Sequence, residues 1–332
     1  MIKSPTLSDV ALRANVSKVA VSTVLNGSRC GTRVSEETRK RIVATANDIG
    51  YRVNASAKAI RTGRSSCAVL LMTTRTYYST LPVRLLDGIH DGLAAQGMHL
   101  AFARMPDERL QDEELLPKFL RECMADGLII NYTHDLPPQL TELIAQHRIP
   151  SVWTNIKLEA DCVHPDDFGG GLRATEQLLA QGHRDIAYAS LVLSTHYSLA
   201  DRIAGYAQAM RSAGETPVVW TSRADVEMHR VSAVLANGDI EAQRVLTAAR
   251  LSGRKISEDL SVVVITQHPE PPEDYTTEER ITAWLLPEYE MGRRATEMLA
   301  MKINHPAVAL PPESLPLTYV PGSTSTIYQP PS

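Results

Sequence analysis

The sequence has few of the features that build a metal centre, a disulfide scaffold or a membrane span. Its four cysteines, at positions 30, 67, 123 and 162, show no CxxC or other metal-ligand spacing, so neither a zinc site nor a disulfide framework is indicated. No apolar run approaches the roughly 18 residues that a membrane-spanning helix needs, and the N-terminal stretch MIKSPTLSDV lacks the apolar core of a signal peptide. We therefore expect reduced thiols, no cofactor, no membrane association and a location in the cytoplasm.

Motifs that would carry catalysis are also missing. The ten histidines include no HExxH pair, and the chain has no GxSxG nucleophile elbow. The stretch FGGGLRA at 168–174 lacks both the Lys-Ser/Thr end of a phosphate-binding P-loop and the GxGxxG spacing. Asp166 and Asp167 are adjacent in an expected loop, which is a poor arrangement for paired acid and base catalysis. The sequence therefore predicts that the protein is not an enzyme.

Positive and negative charges are distributed unevenly along the 332 residues. Residues 1–64 carry twelve Lys and Arg against four Asp and Glu, a net charge of +8, whereas the remainder carries 22 against 34, a net charge of −12. A basic segment joined to an acidic body is the electrostatic pattern of a nucleic-acid binder. At about 150 residues per domain, the length predicts two or three domains.

The first strong pattern lies in residues 6–26, TLSDVALRANVSKVAVSTVLN. Thr6 is expected to cap a helix, with Asp9 returning the bond in a capping box. Asn15 suits the left-handed conformation of a sharp turn, and Ser17 is expected to cap a second helix. Apolar spacing predicts a buried face made of Val10, Ala11, Ala14, Val16, Val21, Val24 and Leu25.

The second helix would then present a polar face near its N-terminal end, made of Lys18, Val19, Ser22 and Thr23. This arrangement predicts a helix-turn-helix, in which that end of the second helix enters the major groove of DNA. An ordinary helical hairpin is the alternative, because small amphipathic helix pairs are common. A third helix is expected between its cap Ser35 and Gly50, with a core face made of Ile42, Ala46 and Ile49.

Residues 55–61 predict one more short helix, with Asn54 as its cap and Gly63 at its end. A helix of about two turns is marginal in isolation. We therefore expect this helix to order only against a partner.

Beyond residue 65, buried strands alternate with helices, as in parallel sheets that are covered on both faces. The expected strands are 67–74, 98–104, 126–132, 149–155, 185–191, 217–221, 231–237, 260–266, 281–286 and 315–320. The expected helices are 81–96, 112–124, 137–147, 168–181, 199–213, 239–252 and 288–303. Two similar lobes predict a ligand cleft at the carboxyl ends of the strands. The proline-rich tail, 311–332, is expected to be loose apart from its one strand.

The N-terminal motifs DVALRANVS, VSTVLNG, VSEETRKRI and GYRVNASAKAIRTGRSS together resemble the lactose and galactose repressor family of bacterial transcription regulators. The body segments QGHRDIAY, RIAG, ANGD, ISEDLSVV and PEYEMGRRATEML are similar to the same family. The resemblance spans nearly the whole chain. It implies a periplasmic-sugar-binding fold for the body, with the chain crossing three times between the lobes.

The resemblance also implies which residues meet DNA. Bases would be read by Lys18, Val19 and Thr23. Phosphates would be contacted or flanked by Ser22, Asn26, Ser35 and Thr38, and Tyr51 and Asn54 would sit near the DNA backbone at the hinge. Further positions near the DNA are Thr6, Ser17, Ala57 and Lys58. The hinge helices of two subunits would pair in the minor groove, where Ile60 would act as an apolar wedge that bends the duplex.

For the cleft, the resemblance implies that Arg202 grips ligand oxygens with its fork of donors. Asn237, Thr266 and Trp284 are weaker candidates for ligand contacts. The family usually continues Gly-Phe-Asp-Asp at 264–267, where this chain has Val-Ile-Thr-Gln. A neutral sugar bound in the usual way is therefore not expected, and an anionic effector, a less polar effector or none is favoured instead.

These observations predict an all-α helix-turn-helix DNA-binding domain at 1–64 with a hinge helix near 54–62, followed by an α/β, two-lobed, periplasmic-binding-protein-like body at 65–332. Each lobe is expected to be a Rossmann-like parallel sheet. Lobe 1 would comprise about 65–157 and 287–314, and lobe 2 about 158–286 and 315–332.

The expected function is sequence-specific repression of transcription by a homodimer on a palindromic, double-stranded DNA operator. A small-molecule effector in the cleft would control it, and a sugar derivative is one candidate. Two alternatives stay open from the residues: a solute-binding protein, and an enzyme acting on a sugar or nucleotide in the cleft.

Overall fold

The computed structural model describes residues 5–26, 34–52, 59, 63–75, 80–106, 108, 118, 125–133, 136–192, 194–267 and 280–328. The chain forms two compact units. The head comprises residues 1–66 with 122–126, and the body comprises residues 67–121 with 127–332.

Three helices form the described part of the head: α1 Leu7–Ala14, α2 Lys18–Asn26 and α3 Glu36–Asp48. They enclose a small apolar core made of Val10, Ala11, Ala14, Ala20, Val21, Ile42 and Ala46. Half-buried side chains that pack against this core include Val16, Val24, Leu25, Ile49 and Tyr51. The predicted apolar face is confirmed, and Ala20 joins it.

The predicted capping of the head helices is also confirmed. Thr6 accepts a hydrogen bond from the Asp9 amide, and the Asp9 carboxylate accepts one from the Thr6 amide at 2.7 Å. Asn15 adopts the left-handed conformation, with φ 51° and ψ 53°. The Ser35 hydroxyl accepts a hydrogen bond from the Thr38 amide at 3.2 Å at the start of α3. The chain leaves α3 through Gly50, whose φ of +67° suits a residue without a side chain.

The predicted hinge helix at about 54–62 lies outside the described residues, apart from Ala59. The Gly63 amide donates a hydrogen bond to the Ala59 carbonyl at 2.8 Å. The predicted helix at 112–124 also lies outside them, apart from Lys118. Both elements stay predictions.

Among the described residues, the body contains two sheets of six strands each. The strands are β1 Cys67–Thr73, β2 His99–Met105, β3 Gly127–Ile130, β4 Ser151–Thr154, β5 Cys162–Pro165, β6 Ile186–Ala189, β7 Val218–Trp220, β8 Ala233–Ala236, β9 Ser261–Thr266, β10 Thr282–Leu285, β11 Glu313–Leu315 and β12 Thr318–Val320. The strand orders are β11-β5-β4-β3-β1-β2 and β12-β10-β9-β8-β6-β7. Every pair is parallel except β10 with β12.

Helices cover both sheets and complete two lobes. The described helices of the body are α4 Val83–Ala95, α5 Pro138–Gln146, α6 Asp167–Ala180, α7 Tyr197–Ser212, α8 Asp239–Leu251 and α9 Glu288–Asn304. In lobe 1, α4 and α9 pack on the first sheet through side chains that include Leu85, Ile89, Met291 and Leu299. In lobe 2, α6 and α7 pack on one face of the second sheet and α8 on the other. The predicted Rossmann-like lobes are confirmed.

Three short connections cross between the lobes. Residue 166 joins the end of β5 to α6, residues 286–287 join the end of β10 to α9, and residues 316–317 join the end of β11 to β12. Helices that follow parallel strands begin at the carboxyl edge of their sheet, and Thr318 of β12 lies opposite Leu285 at the end of β10. All three crossings therefore join the carboxyl edges of the two sheets. The cleft lies between these edges.

Two strands of the first sheet were not predicted. The segments CVHP at 162–165 and ESL at 313–315 form β5 and β11, which pair with each other at one side of that sheet. Each is only three or four residues long and shows no apolar alternation, so the sequence pattern is weak. The first crossing consequently comes after Pro165 instead of near residue 158. The expected lobe boundary shifts accordingly.

The prediction of a loose tail was wrong for the described residues up to 328. Thr324 is fully buried, its hydroxyl donates to the Val262 carbonyl at 2.6 Å and it accepts a hydrogen bond from the Thr282 amide at 2.9 Å. Further along, the Tyr328 amide donates to the Gln181 carbonyl at 2.9 Å. These long-range bonds are invisible to local sequence patterns.

Candidate DNA-reading helix and ligand cleft

The second helix of the head exposes the end that was predicted to read DNA. Lys18 is exposed and Val19 is 49% exposed, whereas the next two residues, Ala20 and Val21, are buried in the head core. The Ser17 hydroxyl accepts a hydrogen bond from the Ala20 amide at 3.2 Å, which fixes the first turn of α2. The first turn of α2 therefore presents a cation and an apolar side chain beside unpaired backbone amides.

The other predicted DNA contacts occupy several places in the head. Ser22 and Thr23 are half-buried on α2, Thr6 and Ser35 are exposed helix caps, Thr38 is half-buried and Tyr51 packs against the head core. Asn26 ends α2, but its side chain lies outside the described residues. The predicted contacts Asn54, Ala57, Lys58 and Ile60 also lie outside them.

A side chain that the sequence reading missed ties α3 to α1. The Arg41 guanidinium Nε donates to the Ala14 carbonyl at 3.2 Å, at the C-terminal end of α1. It satisfies one of the carbonyls that a helix leaves unpaired at its end. No local pattern in the sequence connects residues 27 positions apart.

In the body, Arg202 lies in the second turn of α7 and is only 7% exposed. Its Nε donates to Asp167 Oδ1 at 2.7 Å, and the Asp167 side chain is 0% exposed. Its Nη1 donates to the Asn237 carbonyl at 3.0 Å, just after β8. The structure thus brings the two predicted ligand residues together at the carboxyl edge of lobe 2, within a buried ion pair.

Tyrosine hydroxyls surround this ion pair. The Tyr188 hydroxyl donates to Asn237 Oδ1 at 2.6 Å, and burial raises the pKa of Tyr188. Burial and the negative charge of Asp167 raise the pKa of Tyr197, at the start of α7. Asp167 Oδ2 and the Tyr197 hydroxyl are both buried, and the Asp167 carboxylate also acts on the Tyr197 hydroxyl as a hydrogen-bond acceptor.

Two contacts cross from lobe to lobe at this side of the cleft. His196, the cap of α7, places its Nε2 3.0 Å from the Asn155 carbonyl, which follows β4 in lobe 1. Lys157 Nζ lies 2.7 Å from Asp201 Oδ2 on α7. These polar contacts connect α7, which carries Arg202, to the opposite lobe.

The remaining two predicted ligand residues differ in position. Thr266 is buried at the end of β9, on the cleft edge, and its carbonyl accepts a hydrogen bond from the Leu286 amide at 2.9 Å. Trp284 lies one residue before the end of β10, and its indole Nε1 donates to Gln177 on α6 at 3.0 Å. Its ring also packs against Tyr319 of β12, 5.7 Å between centroids. The ring thus packs between α6 and β12, and its contact with a ligand stays a prediction.

The sequence reading also missed the cleft carboxylates. It assigned Asp166 and Asp167 to a loop, whereas Asp166 caps α6 and Asp167 opens that helix from a buried position. Prediction of the strand β5 would have pointed to both residues, because β5 ends directly before Asp166 and so places them at the carboxyl edge of a sheet. Glu288, buried at the start of α9, gave no sequence signal beyond its place after Pro287.

A helix-turn-helix head on a two-lobed body with a polar cleft defines the class of regulators that couple a ligand site to a DNA-reading unit. Comparison with known proteins agrees with this class. The model for bacterial regulatory proteins of the lacI family matches residues 6–54, and the model for the periplasmic binding protein-like domain matches residues 175–325.

Similar proteins cover most of the chain. The HTH-type transcriptional repressor PurR of Escherichia fergusonii is 29% identical over 279 residues, which are 78% of this chain and 79% of that protein. PurR of Salmonella paratyphi B shows the same identity and coverage. The solved structure of the Lac repressor dimer bound to operator and the anti-inducer ONPF superposes with a TM-score of 0.76 at 21% identity, covering 98% of this chain and 100% of that one. The CelR–cellobiose complex gives a TM-score of 0.61 at 23% identity, covering 96% and 99%.

Residues 6–54 thus match the lacI family of bacterial regulatory proteins, and the similar proteins that cover most of the chain are named as transcription regulators. In the described part of the chain, no helix is both long and apolar enough to cross a membrane.

Proposed function

We propose that this protein is a sequence-specific transcriptional repressor, which binds a palindromic operator as a homodimer in the cytoplasm and is controlled by a small molecule in the cleft. The observation that carries the DNA-binding part is the exposed first turn of α2, held rigidly by the buried Ala20 and Val21. The names of the similar repressors, and the operator-bound dimer among the similar structures, support the same function.

Each part of α2 has a defined role in this proposal. Its N-terminal end enters the major groove, where Lys18 donates to guanine O6 or N7 and Val19 contacts a thymine methyl group. Thr23 joins them in reading bases, whereas Ser22 and the helix caps position the head against phosphates, which carry no sequence information themselves. The hinge helix and the Ile60 wedge complete the operator complex by bending its centre.

The cleft controls DNA binding by changing the relative populations of two arrangements of the lobes. A ligand shifts such an equilibrium only if it binds the two arrangements with different affinity. A difference of about 1.4 kcal/mol changes the affinity for DNA tenfold. Polar contacts such as Lys157 with Asp201 join the lobes in this structure, so they are among the interactions that differ between the two arrangements.

Selection of bound duplexes from a random pool by the purified protein tests this function. We expect recovery of one palindrome, whose two half-sites reflect the two-fold symmetry of a dimer. The variant Lys18→Ala should then select a relaxed or different half-site, because it removes a base contact. Each such contact contributes about 1–3 kcal/mol of discrimination.

Lys40→Ala is the matched control, because Lys40 is an exposed cation on α3 and lies outside α2. It should leave the selected sequence unchanged. Equal loss of affinity for all sequences in Lys18→Ala would contradict the base-reading role. No enriched sequence for the wild type would contradict the proposed function itself.

A further inference from the structure

Glu288 lies at the second crossing between the lobes. Its amide donates to the Leu286 carbonyl at 2.9 Å, and the Leu286 amide donates to the Thr266 carbonyl at 2.9 Å at the end of β9. Glu288 is also the first residue of α9, whose apolar side chains belong to the core of lobe 1. It is therefore attached to the carboxyl edge of lobe 2 through the backbone and to lobe 1 through its helix, at the cleft.

The environment of the Glu288 carboxylate is unusual for a structural residue. Glu288 is only 5% exposed, yet its carboxylate has no hydrogen-bond partner among the described residues. Its oxygens are not among the side-chain atoms that are both completely buried and unpaired, so a small part of the carboxylate stays accessible at the start of α9, where the chain crosses between the lobes. Burial raises its pKa to about 7, against the opposing charge of Arg84 in the first turn of α4. A buried carboxylate that only stabilised the fold would be paired.

The opposite side of the cleft carries no excess positive charge. Arg202 is already neutralised by Asp167 at 2.7 Å, so it acts mainly as a set of directed donors. Two nitrogens remain without partners among the described residues, Arg202 Nη2 and Asn237 Nδ2. The polar groups at this site are thus a neutral ion pair with spare donors on lobe 2 and an acceptor carboxylate at the crossing, on which the cation Arg84 of α4 also acts.

We propose that Glu288 is a specificity-determining residue of the cleft, which accepts hydrogen bonds from an uncharged or cationic small molecule and disfavours anions. Arg202 and Asn237 donate to oxygens of the same ligand from lobe 2. The shared chemistry of the ligand is a hydrogen-bond donor, either a hydroxyl group or a protonated amine. This inference rests on the proposed function, because it assumes that a small molecule occupies the cleft.

An anionic ligand does not fit these groups. Above about pH 7, where Glu288 is ionised, it would place a second negative charge near a buried carboxylate, where low polarity strengthens repulsion. A donor group has the opposite effect, because hydrogen bonds to charged acceptors are stronger than those between neutral groups. The charges around the cleft thus argue against an anionic effector, which is one of the alternatives that the sequence leaves open.

Thermal-shift measurements on the full-length protein test the proposal. The probes are soluble metabolites at millimolar concentration, sorted into cationic, neutral and anionic classes. We expect the stabilising compounds to come from the cationic or the neutral class. Cationic compounds would indicate a protonated amine as the donor, and neutral compounds would indicate a hydroxyl group. At a pH about one unit above the Glu288 pKa of about 7, Glu288→Gln should weaken their binding by about tenfold or more, because it removes a charged acceptor.

Glu290→Gln is the matched control, since Glu290 is exposed in the first turn of the same helix. It should leave the affinities unchanged. Glu288→Asp keeps the charge but shortens the side chain, so it should bind the compounds more tightly than Glu288→Gln does. This comparison separates loss of the charge from a general packing defect.

Three results would overturn the proposal: stabilisation of the wild type by anions alone, equal affinities in wild type and Glu288→Gln, or no stabilising compound in any class. Operator selection with the same wild-type preparation keeps the two questions separate. Selection of a palindrome together with one of these results rejects only the role of Glu288. A supportive ligand result without any DNA selection rejects the repressor.

Discussion

At the scale of single residues, the body keeps charged groups in its interior next to the cleft. Asp167 and Arg202 form an ion pair in which the carboxylate side chain is 0% exposed and the guanidinium side chain 9%. Removing two charges from water is costly, and such a pair contributes little net stability compared with apolar residues of the same size. Its retention at the cleft edge fits a role in orienting donors toward a ligand.

We expect Arg202→Ala to lower the free energy of unfolding by about 3–5 kcal/mol, because it leaves the buried Asp167 carboxylate without its partner. Urea unfolding at neutral pH measures the change. The double variant Asp167→Asn with Arg202→Ala should recover part of the loss, since no buried charge remains. A double variant that is as unstable as the sum of the two single variants would show that the charges do not interact.

At the scale of elements, the C-terminal segment 321–328 is held against the second sheet through His183. The imidazole is buried and lies 3.0 Å from the hydroxyls of Ser232 and Ser261. Its Nε2 also lies 3.2 Å from the Thr326 carbonyl. A carbonyl oxygen only accepts hydrogen bonds, so Nε2 carries the proton in this contact. The side chain thus connects three parts of lobe 2 in its neutral form.

Burial lowers the pKa of His183 below its usual value of 6.5. The unfolded chain therefore takes up a proton before the folded chain does, and the stability contributed by neutral His183 is present above about pH 6.5. It is lost as the pH falls from about 6.5 toward the lowered pKa of the folded state. We expect the melting temperature of the wild type to fall between about pH 7.5 and 5.5.

His183→Gln should be less stable at the higher pH and should show a smaller fall, whereas His305→Gln, at an exposed position, should behave as the wild type. Glu288, with its pKa raised to about 7, acts in the opposite direction, because its folding penalty appears as the pH rises from 4.5 to about 7. The wild type and both histidine variants keep Glu288, so its contribution cancels when their pH dependences are compared. An identical pH dependence in His183→Gln would exclude the proposed link to the buried imidazole.

At the scale of the whole molecule, charge separates the head from the rest of the chain. Residues 1–64 carry a net charge of +8, and the remaining residues carry −12. A basic head attracts phosphates, while an acidic body disfavours non-specific contact with DNA outside the operator. The basic head therefore attracts DNA, while the acidic body limits the binding of the protein to DNA of any sequence.

We expect operator affinity to fall steeply with salt, because binding releases counterions from the phosphates. If six or more phosphates are neutralised, raising the salt from about 0.05 M to 0.2 M should weaken binding by about 10³-fold or more. Fluorescence anisotropy with the selected operator measures this dependence. An affinity that does not change with salt would mean that the basic head does not meet the DNA backbone.

The head was largely predictable from sequence because its determinants are local. Caps, a left-handed Asn15 and apolar residues at helical spacing lie within a few positions of one another. The long buried strands of the body were predicted for the same reason, since each is a continuous apolar run. Short strands such as β5 and β11 carry no such run, and their pairing depends on contacts between distant parts of the chain.

The sequence by itself thus determined the class of protein: a basic helix-turn-helix unit followed by an alternating α/β chain. Only the tertiary structure decided the composition of the cleft. It paired Arg202 with Asp167, placed Trp284 between α6 and β12, and set Glu288 at a crossing. The physical reason is that secondary structure follows periodicity over short stretches, whereas burial and pairing of a charge depend on residues far apart in the sequence, which meet only when helices and strands pack together.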